Sequence, residues 1–142
     1  MLLHVPVYAV QVFESNLEAF DYCLFAFAQP CTRVVVFFVG FVVAFGNGFT
    51  VYHAGDTAVF KDMELIRELY HPELALLPIG SHYVMNPKEA ALACRLLLPK
   101  FVIPMHYGTF PVLTGTPAEL AQLLQDQPAT RVIPLKPGET VE

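Results

Sequence analysis

The chain has 142 residues, of which 55% are hydrophobic and only 15% are charged, with a formal net charge of −5. A charged fraction below the roughly 25% of ordinary soluble domains indicates extensive buried or covered apolar surface. The length suits one domain or part of one. The negative charge and the absence of a Lys/Arg cluster exclude an electrostatic surface for nucleic acid.

The three cysteines, Cys23, Cys31 and Cys94, are odd in number and have no C-x-x-C spacing. They indicate free thiols in a reducing compartment, so we expect a cytoplasmic protein. No signal peptide is predicted, because the amino terminus lacks a basic region and acidic residues interrupt its apolar stretches.

Residues 1–33 have no clean helical or strand periodicity and form an unassigned amino-terminal segment, for which poor order is one alternative. Residues 34–142 are predicted to be the structured unit. Its first stretch, Val34–Phe45, is an apolar run shorter than the roughly 20 residues that a membrane-spanning helix needs. A buried hairpin is therefore favoured over a membrane span.

The following elements are locally consistent. Gly40–Phe45 and Phe49–His53 predict two strands around the turn Gly46–Gly48, because Asn-Gly supplies the backbone conformation of a tight turn. A helix is predicted for Lys61–Tyr70, and the proline after His71 ends it. The wholly apolar Leu74–Ile79 predicts a strand that is buried on both faces.

The second half continues the alternation. Asn86-Pro87-Lys88-Glu89 is typical of a capping box that opens a helix, and Thr116–Glu119 repeats this pattern before Leu120–Leu124. Strands are predicted for Phe101–Pro104 and Arg131–Leu135. From Phe49 onward the order is β-α-β-α-β-α-β, which predicts an α/β fold.

Two polar side chains follow predicted strands at their carboxyl ends. Asp56 follows Phe49–His53, where it suits a metal ligand or a group that orients water, or else simply caps a turn. His106 follows Phe101–Pro104 and is either a ligand or a satisfied buried histidine. Because α/β sheets place their sites at the carboxyl ends of strands, we expect the two side chains to meet.

Two further histidines lie near such strand ends. His53 is either a group that hydrogen-bonds Asp56 or a partly buried strand histidine. His82 lies in a third strand-end loop that suits the lining of the same cleft. The chain contains no G-x-S-x-G elbow, no phosphate-binding glycine-rich loop and neither of the zinc motifs H-E-x-x-H and H-x-H-x-D-H.

Four stretches together resemble the metallo-β-lactamase superfamily: FTVYHAGDT, LLPIG, MNP-x-EA and PMHYGTF. The resemblance is closest to the small bacterial and archaeal metal-dependent hydrolases akin to ascorbate-phosphate lactonase. It covers about residues 40–138 and only the carboxy-terminal half of the family's αββα sandwich. It therefore implies half of such a sandwich, a mixed sheet with helices on one face.

The resemblance also implies roles for single residues. Asp56 matches the carboxylate that bridges two metal ions, usually zinc and sometimes manganese or iron, and His106 matches the last histidine ligand. His53 and Thr57 match neighbours of that aspartate, and His82 matches a residue of the cleft-lining loop. In the family a metal-bound hydroxide attacks an ester, a lactone or a phosphodiester, which are small-molecule substrates.

The chain departs from the family in its first part, because the H-x-H-x-D-H motif is absent and residues 1–39 contain a single histidine, His4. Two ligands are fewer than the three or four that zinc takes from protein. The resemblance and this departure from it together imply a truncated hydrolase that needs ligands from another chain. The alternative is an inactive remnant or interaction module that associates, with itself or a partner chain, through an uncovered sheet face.

Overall fold

The computed structural model describes residues 31–37 and 40–141, and within them one mixed sheet has the strand order β1-β2-β3-β4-β5-β6. Three helices accompany it in this part of the chain. The strands are Cys31–Phe37 (β1), Gly40–Phe45 (β2), Thr50–His53 (β3), Leu74–Pro78 (β4), Phe101–Met105 (β5) and Arg131–Val132 (β6). The helices are Met63–Tyr70 (α1), Pro87–Leu97 (α2) and Pro117–Leu123 (α3). The predicted alternation from β3 to β6 is confirmed.

The apolar run Val34–Phe45 is divided between two strands. β1 pairs antiparallel with β2, with Phe37 opposite Gly40, and β2 pairs antiparallel with β3. Gly48 closes the turn between β2 and β3 with its N–H on the carbonyl of Phe45, 2.9 Å away. Within the described residues, no helix has the length and apolar character needed to cross a membrane.

The three helices pack on one face of the sheet. Met63 and Ile66 of α1, Leu97 of α2 and Leu120 of α3 are all buried there. In β4 the alternate residues Ala75 and Leu77 contact this helix layer, whereas Leu74 and Leu76 point to the opposite face. β4 is therefore buried on both faces, as its unbroken apolar sequence predicts.

The opposite face carries a second apolar cluster, here called the strand-face cluster. Its buried members are Val43, Phe45, Val51, Leu74, Leu76, Ile103 and Met105. No helix of the described residues contributes to it, yet none of its members is more than 7% exposed. Further side chains pack against the cluster, namely Phe41, Phe49, Phe101, Ile133 and Leu135. Association through this sheet face stays a prediction.

The boundaries of β6 and β1 differ from prediction. β6 stops at Val132 and does not reach Leu135, although Ile133 still donates to the carbonyl of Val102. β1 begins at Cys31, before the boundary proposed at residue 34. The remainder of the segment 1–33, with His4 and Cys23, lies outside the described residues.

Candidate metal centre

Three loops meet at one edge of the sheet because β3, β4 and β5 are parallel. Backbone hydrogen bonds join them. The N–H of Met85, in the loop after β4, donates to the carbonyl of Thr57, in the loop after β3, at 3.1 Å. The N–H of Ile79 donates to the carbonyl of Met105, at the end of β5, at 3.0 Å. The loops that carry the predicted site residues are thus fixed to one another.

Asp56 and His106 lie side by side at this edge. The Oδ2 atom of Asp56 is 3.7 Å from the Nε2 atom of His106, and the Asp56 side chain is 70% exposed whereas that of His106 is 29% exposed. A separation of 3.7 Å is too long for a hydrogen bond. The carboxylate oxygen and the imidazole nitrogen therefore face each other next to solvent without a hydrogen bond between them.

His106 adopts an uncommon conformation. Its backbone φ is +54°, in the left-handed region that residues with a side chain rarely enter. Its Nδ1 atom is buried and has no hydrogen-bond partner in the described part of the chain. Residues in such sparsely populated conformations cluster at functional sites, where the surrounding structure holds them in place.

His53 supports the turn that leads to Asp56. Its Nδ1 atom accepts a hydrogen bond of 3.0 Å from the N–H of Gly55, whose φ is +68°. In the neutral ring the proton is then on Nε2. Burial lowers the pKa of His53, against the opposing effect of the Asp56 charge, and thus favours this neutral form. Its ring stacks on Phe41 at 4.9 Å between centroids.

The two alternatives predicted for His53 were a bond to the Asp56 carboxylate and a partly buried strand histidine. The hydrogen bond that it makes here is to the backbone of Gly55, which neither alternative included. The available signal was an imidazole two positions before a glycine at a strand end.

The other two predicted residues have different surroundings. Thr57 is nearly buried, and its hydroxyl donates to the carbonyl of Ala58 at 2.9 Å. His82 is exposed in the loop after β4 and packs edge-on against Tyr83, with the ring centroids 4.4 Å apart. The contacts found for His82 do not join it to Asp56 or His106.

The pair suits a metal ion in its chemistry and spacing. A carboxylate oxygen and an imidazole nitrogen are common zinc ligands, and two atoms bound to one tetrahedral zinc lie about 3.4 Å apart. The observed 3.7 Å is close to this value. Among the described residues, however, no group of three or more His, Cys, Asp and Glu side chains is placed to hold an ion. The pair fits as two of the three or four ligands required.

The mixed sheet with helices on one face, ending in loops that carry polar side chains, defines half of a metallo-β-lactamase sandwich. The sequence model described as the beta-lactamase superfamily domain matches residues 32–106, more than half of the chain. The chain therefore belongs to the beta-lactamase superfamily.

Proteins with similar sequences are described as metal-dependent hydrolases. The chain is 60% identical over 102 residues to a protein of Rubrobacter xylanophilus, and 55% identical over 103 residues to one of Chloroflexus aurantiacus, both described as metal-dependent hydrolases. These matches cover 71% and 72% of the chain but only 42% of either relative. The chain thus spans less than half the length of the relatives it matches.

Solved structures agree with this match. A metallo hydrolase from Ignicoccus hospitalis superposes with a TM-score of 0.67 at 47% sequence identity, over 72% of this chain and 44% of that one. A zinc-dependent hydrolase of the metallo-β-lactamase superfamily from Thermotoga maritima has a TM-score of 0.51 at 31% identity, over 61% of this chain and 45% of that one. The predicted resemblance and fold class are confirmed.

Proposed function

We propose that Asp56 and His106 are two ligands of the metal site of a metal-dependent hydrolase, and that its other ligands come from outside the described residues. The observation that carries this proposal is the 3.7 Å separation between Asp56 Oδ2 and His106 Nε2. It is supported by relatives that are described as metal-dependent hydrolases. The metal is zinc, or alternatively manganese or iron.

The residues of this chain have distinct tasks in such a site. A divalent ion, when bound, would activate water and stabilise negative charge on the reacting group. The exposed Asp56 carboxylate would hold the metal through its oxygens. His106 would bind through Nε2, the nitrogen that faces Asp56. His53 holds the Gly55 turn, and the bond between Met85 and Thr57 keeps the neighbouring loop in place.

The proposed substrates are small esters, lactones or phosphodiesters. The exposure of Asp56 supports an open site, because solvent and a small molecule reach this carboxylate directly. The proposed location is the cytoplasm, supported by the free and buried thiol of Cys94. Residues 34–142 are proposed to act as one unit, half of the hydrolase domain.

Metal analysis and turnover assays test the function together. The full chain is loaded with Zn²⁺ or Mn²⁺, freed of excess ion, and assayed for bound metal and for hydrolysis of an ester, a lactone and a phosphodiester. We expect retained metal that falls in Asp56→Asn and in His106→Gln but not in the control His82→Asn. Negligible metal together with no turnover would remove the proposal for this chain.

Association through the sheet face is the second candidate. The high apolar fraction of the chain favours it, but the buried state of the strand-face cluster disfavours it. Light scattering and calorimetry test the association. A monomer that melts cooperatively would contradict an interaction module.

A further inference from the structure

Two glycines touch the backbone of the loops that carry the candidate ligands. A Cβ atom added to Gly80 would overlap the carbonyl oxygen of His106. A Cβ atom added to Gly40 would overlap the carbonyl oxygen of His53 and lie 2.8 Å from that of Ala54. All of these distances are below the 3.0 Å that real Cβ atoms keep from other heavy atoms. No side chain fits at either position without movement of the neighbouring loop.

The lack of space for a side chain, and not the backbone conformation, explains why positions 40 and 80 hold glycine. Neither Gly40 nor Gly80 has a φ in the left-handed region, whereas Gly48 has a φ of +86° with open space around its Cβ position. An alanine at position 40 or 80 would thus suit its own backbone. The obstacle is the facing carbonyl group, which belongs to His53 at the end of β3 for Gly40 and to His106 for Gly80.

The two contacts act on the two candidate ligands separately. Gly80, which follows β4, is packed against the carbonyl of His106 itself. Gly40, the first residue of β2, is packed against the end of β3, from which the chain turns through Gly55 to Asp56.

We propose that Gly40 and Gly80 are positioning residues that set the separation between Asp56 and His106. The inference rests on the proposed function, since that separation matters for activity only if the pair binds one ion. A methyl group at position 40 or 80 would lie 2.4 or 2.2 Å from the facing carbonyl oxygen, below the 3.0 Å limit, so one of the two backbone segments must shift. Binding sites tolerate displacements of only about 0.5 Å, so this movement is enough to separate the pair.

The test measures the proximity of the pair by NMR on the full chain at one fixed pH. In the unsubstituted chain, Asp56→Asn shifts the ring signals of His106 because the carboxylate is adjacent. In Gly80→Ala, and likewise in Gly40→Ala, the same Asp56→Asn change is expected to shift these signals far less. Calorimetric titration of Gly40→Ala and Gly80→Ala with Zn²⁺ is expected to show an affinity at least about tenfold lower than that of the unsubstituted chain. Loss of a group that orients a metal ligand has an effect of this size.

Gly48→Ala is the matched control. It makes the same chemical change at a strained turn position with open space, so it lowers the melting temperature but leaves the His106 signals and zinc affinity unchanged. An undiminished response to Asp56→Asn in both Gly40→Ala and Gly80→Ala overturns the proposal. Failure of both variants to fold also overturns it, because the glycines would then support the whole sheet.

The two proposals fail in different ways. If the unsubstituted chain binds no Zn²⁺ but the His106 response is lost in Gly40→Ala and Gly80→Ala, the positioning role stands and the proposed function is wrong. If Zn²⁺ binds equally well to the unsubstituted chain and to both glycine variants, the positioning role is wrong and the proposed function stands.

Discussion

The Oδ2 atom of Asp56 faces the Nε2 atom of His106 across 3.7 Å, although one follows β3 and the other follows β5. β4 lies between these two strands in the sheet. The loops after β3 and β5 therefore reach across the end of β4 to bring the pair together, and Gly80 stands at this end, against the carbonyl of His106.

Asp56→Asn is expected to leave the stability of the metal-free chain almost unchanged. The side chain is 70% exposed and makes no hydrogen bond to His106, and exposed ion pairs contribute only about 0–1 kcal/mol. Urea unfolding in the presence of a chelator measures the change, with Glu68→Gln as a control on another exposed carboxylate. A loss of several kcal/mol would mean that Asp56 has a structural task.

Tyr52→Phe is expected to raise the free energy of unfolding by about 1 kcal/mol. The Tyr52 hydroxyl is fully buried and has no hydrogen-bond partner in the described part of the chain, and such an unsatisfied group costs about 1–3 kcal/mol. Urea unfolding of this variant beside Tyr83→Phe, where the ring is exposed, provides the comparison. Destabilisation of Tyr52→Phe would show that the hydroxyl has a partner after all.

Stability is expected to fall as the pH rises from about 9 to 12. Burial raises the pKa of Cys94 from 9.0 to about 12 and that of Tyr52 from 10.0 to about 12. In this range the folded state keeps protons that the unfolded state releases. The contribution of these two groups to stability is therefore fully present below pH 9 and is lost progressively as the pH rises towards 12. Unfolding at a series of pH values measures the slope, which Cys94→Ala should reduce from pH 9 upward. An equal slope in this variant would contradict the assignment.

Leu98→Gly is expected to stabilise the chain by about 0.5–1 kcal/mol. Leu98 ends α2 with a φ of 49° and is 55% exposed, and a left-handed conformation costs a residue with a side chain about 1–2 kcal/mol, part of which glycine loses again as entropy. Leu92→Gly, inside the same helix and 47% exposed, should instead cost about 1 kcal/mol. Thermal melts of both variants measure the two changes in stability. A change of the same sign in both variants would refute the explanation.

Local interactions explain which elements the sequence predicts well. The capping box of α2 was predicted, and in the structure Asn86 Oδ1 accepts from the N–H of Glu89 at 2.9 Å while Glu89 Oε2 accepts from the N–H of Asn86 at 2.8 Å. Both partners lie within one helical turn, so their identities suffice. The unbroken apolar sequence of β4 likewise predicts its burial on both faces.

Features that depend on distant parts of the chain were predicted less well. β6 ends at Val132 although its neighbour β5 continues to Met105. The burial of the strand-face cluster depends on side chains from several strands. The contacts of Gly40 and Gly80 join segments that are far apart in sequence. At the site, residue types and strand ends predicted which side chains to consider, but not that His53 would bond Gly55.

The most direct test of the central claim is a Zn²⁺ titration of the full chain, followed through the ring signals of its five histidines. If Asp56 and His106 bind one ion together, the signals of His106 shift first and most, and Asp56→Asn abolishes this shift. Signals of His106 that do not respond to Zn²⁺, or that respond equally in Asp56→Asn, would contradict a shared metal site.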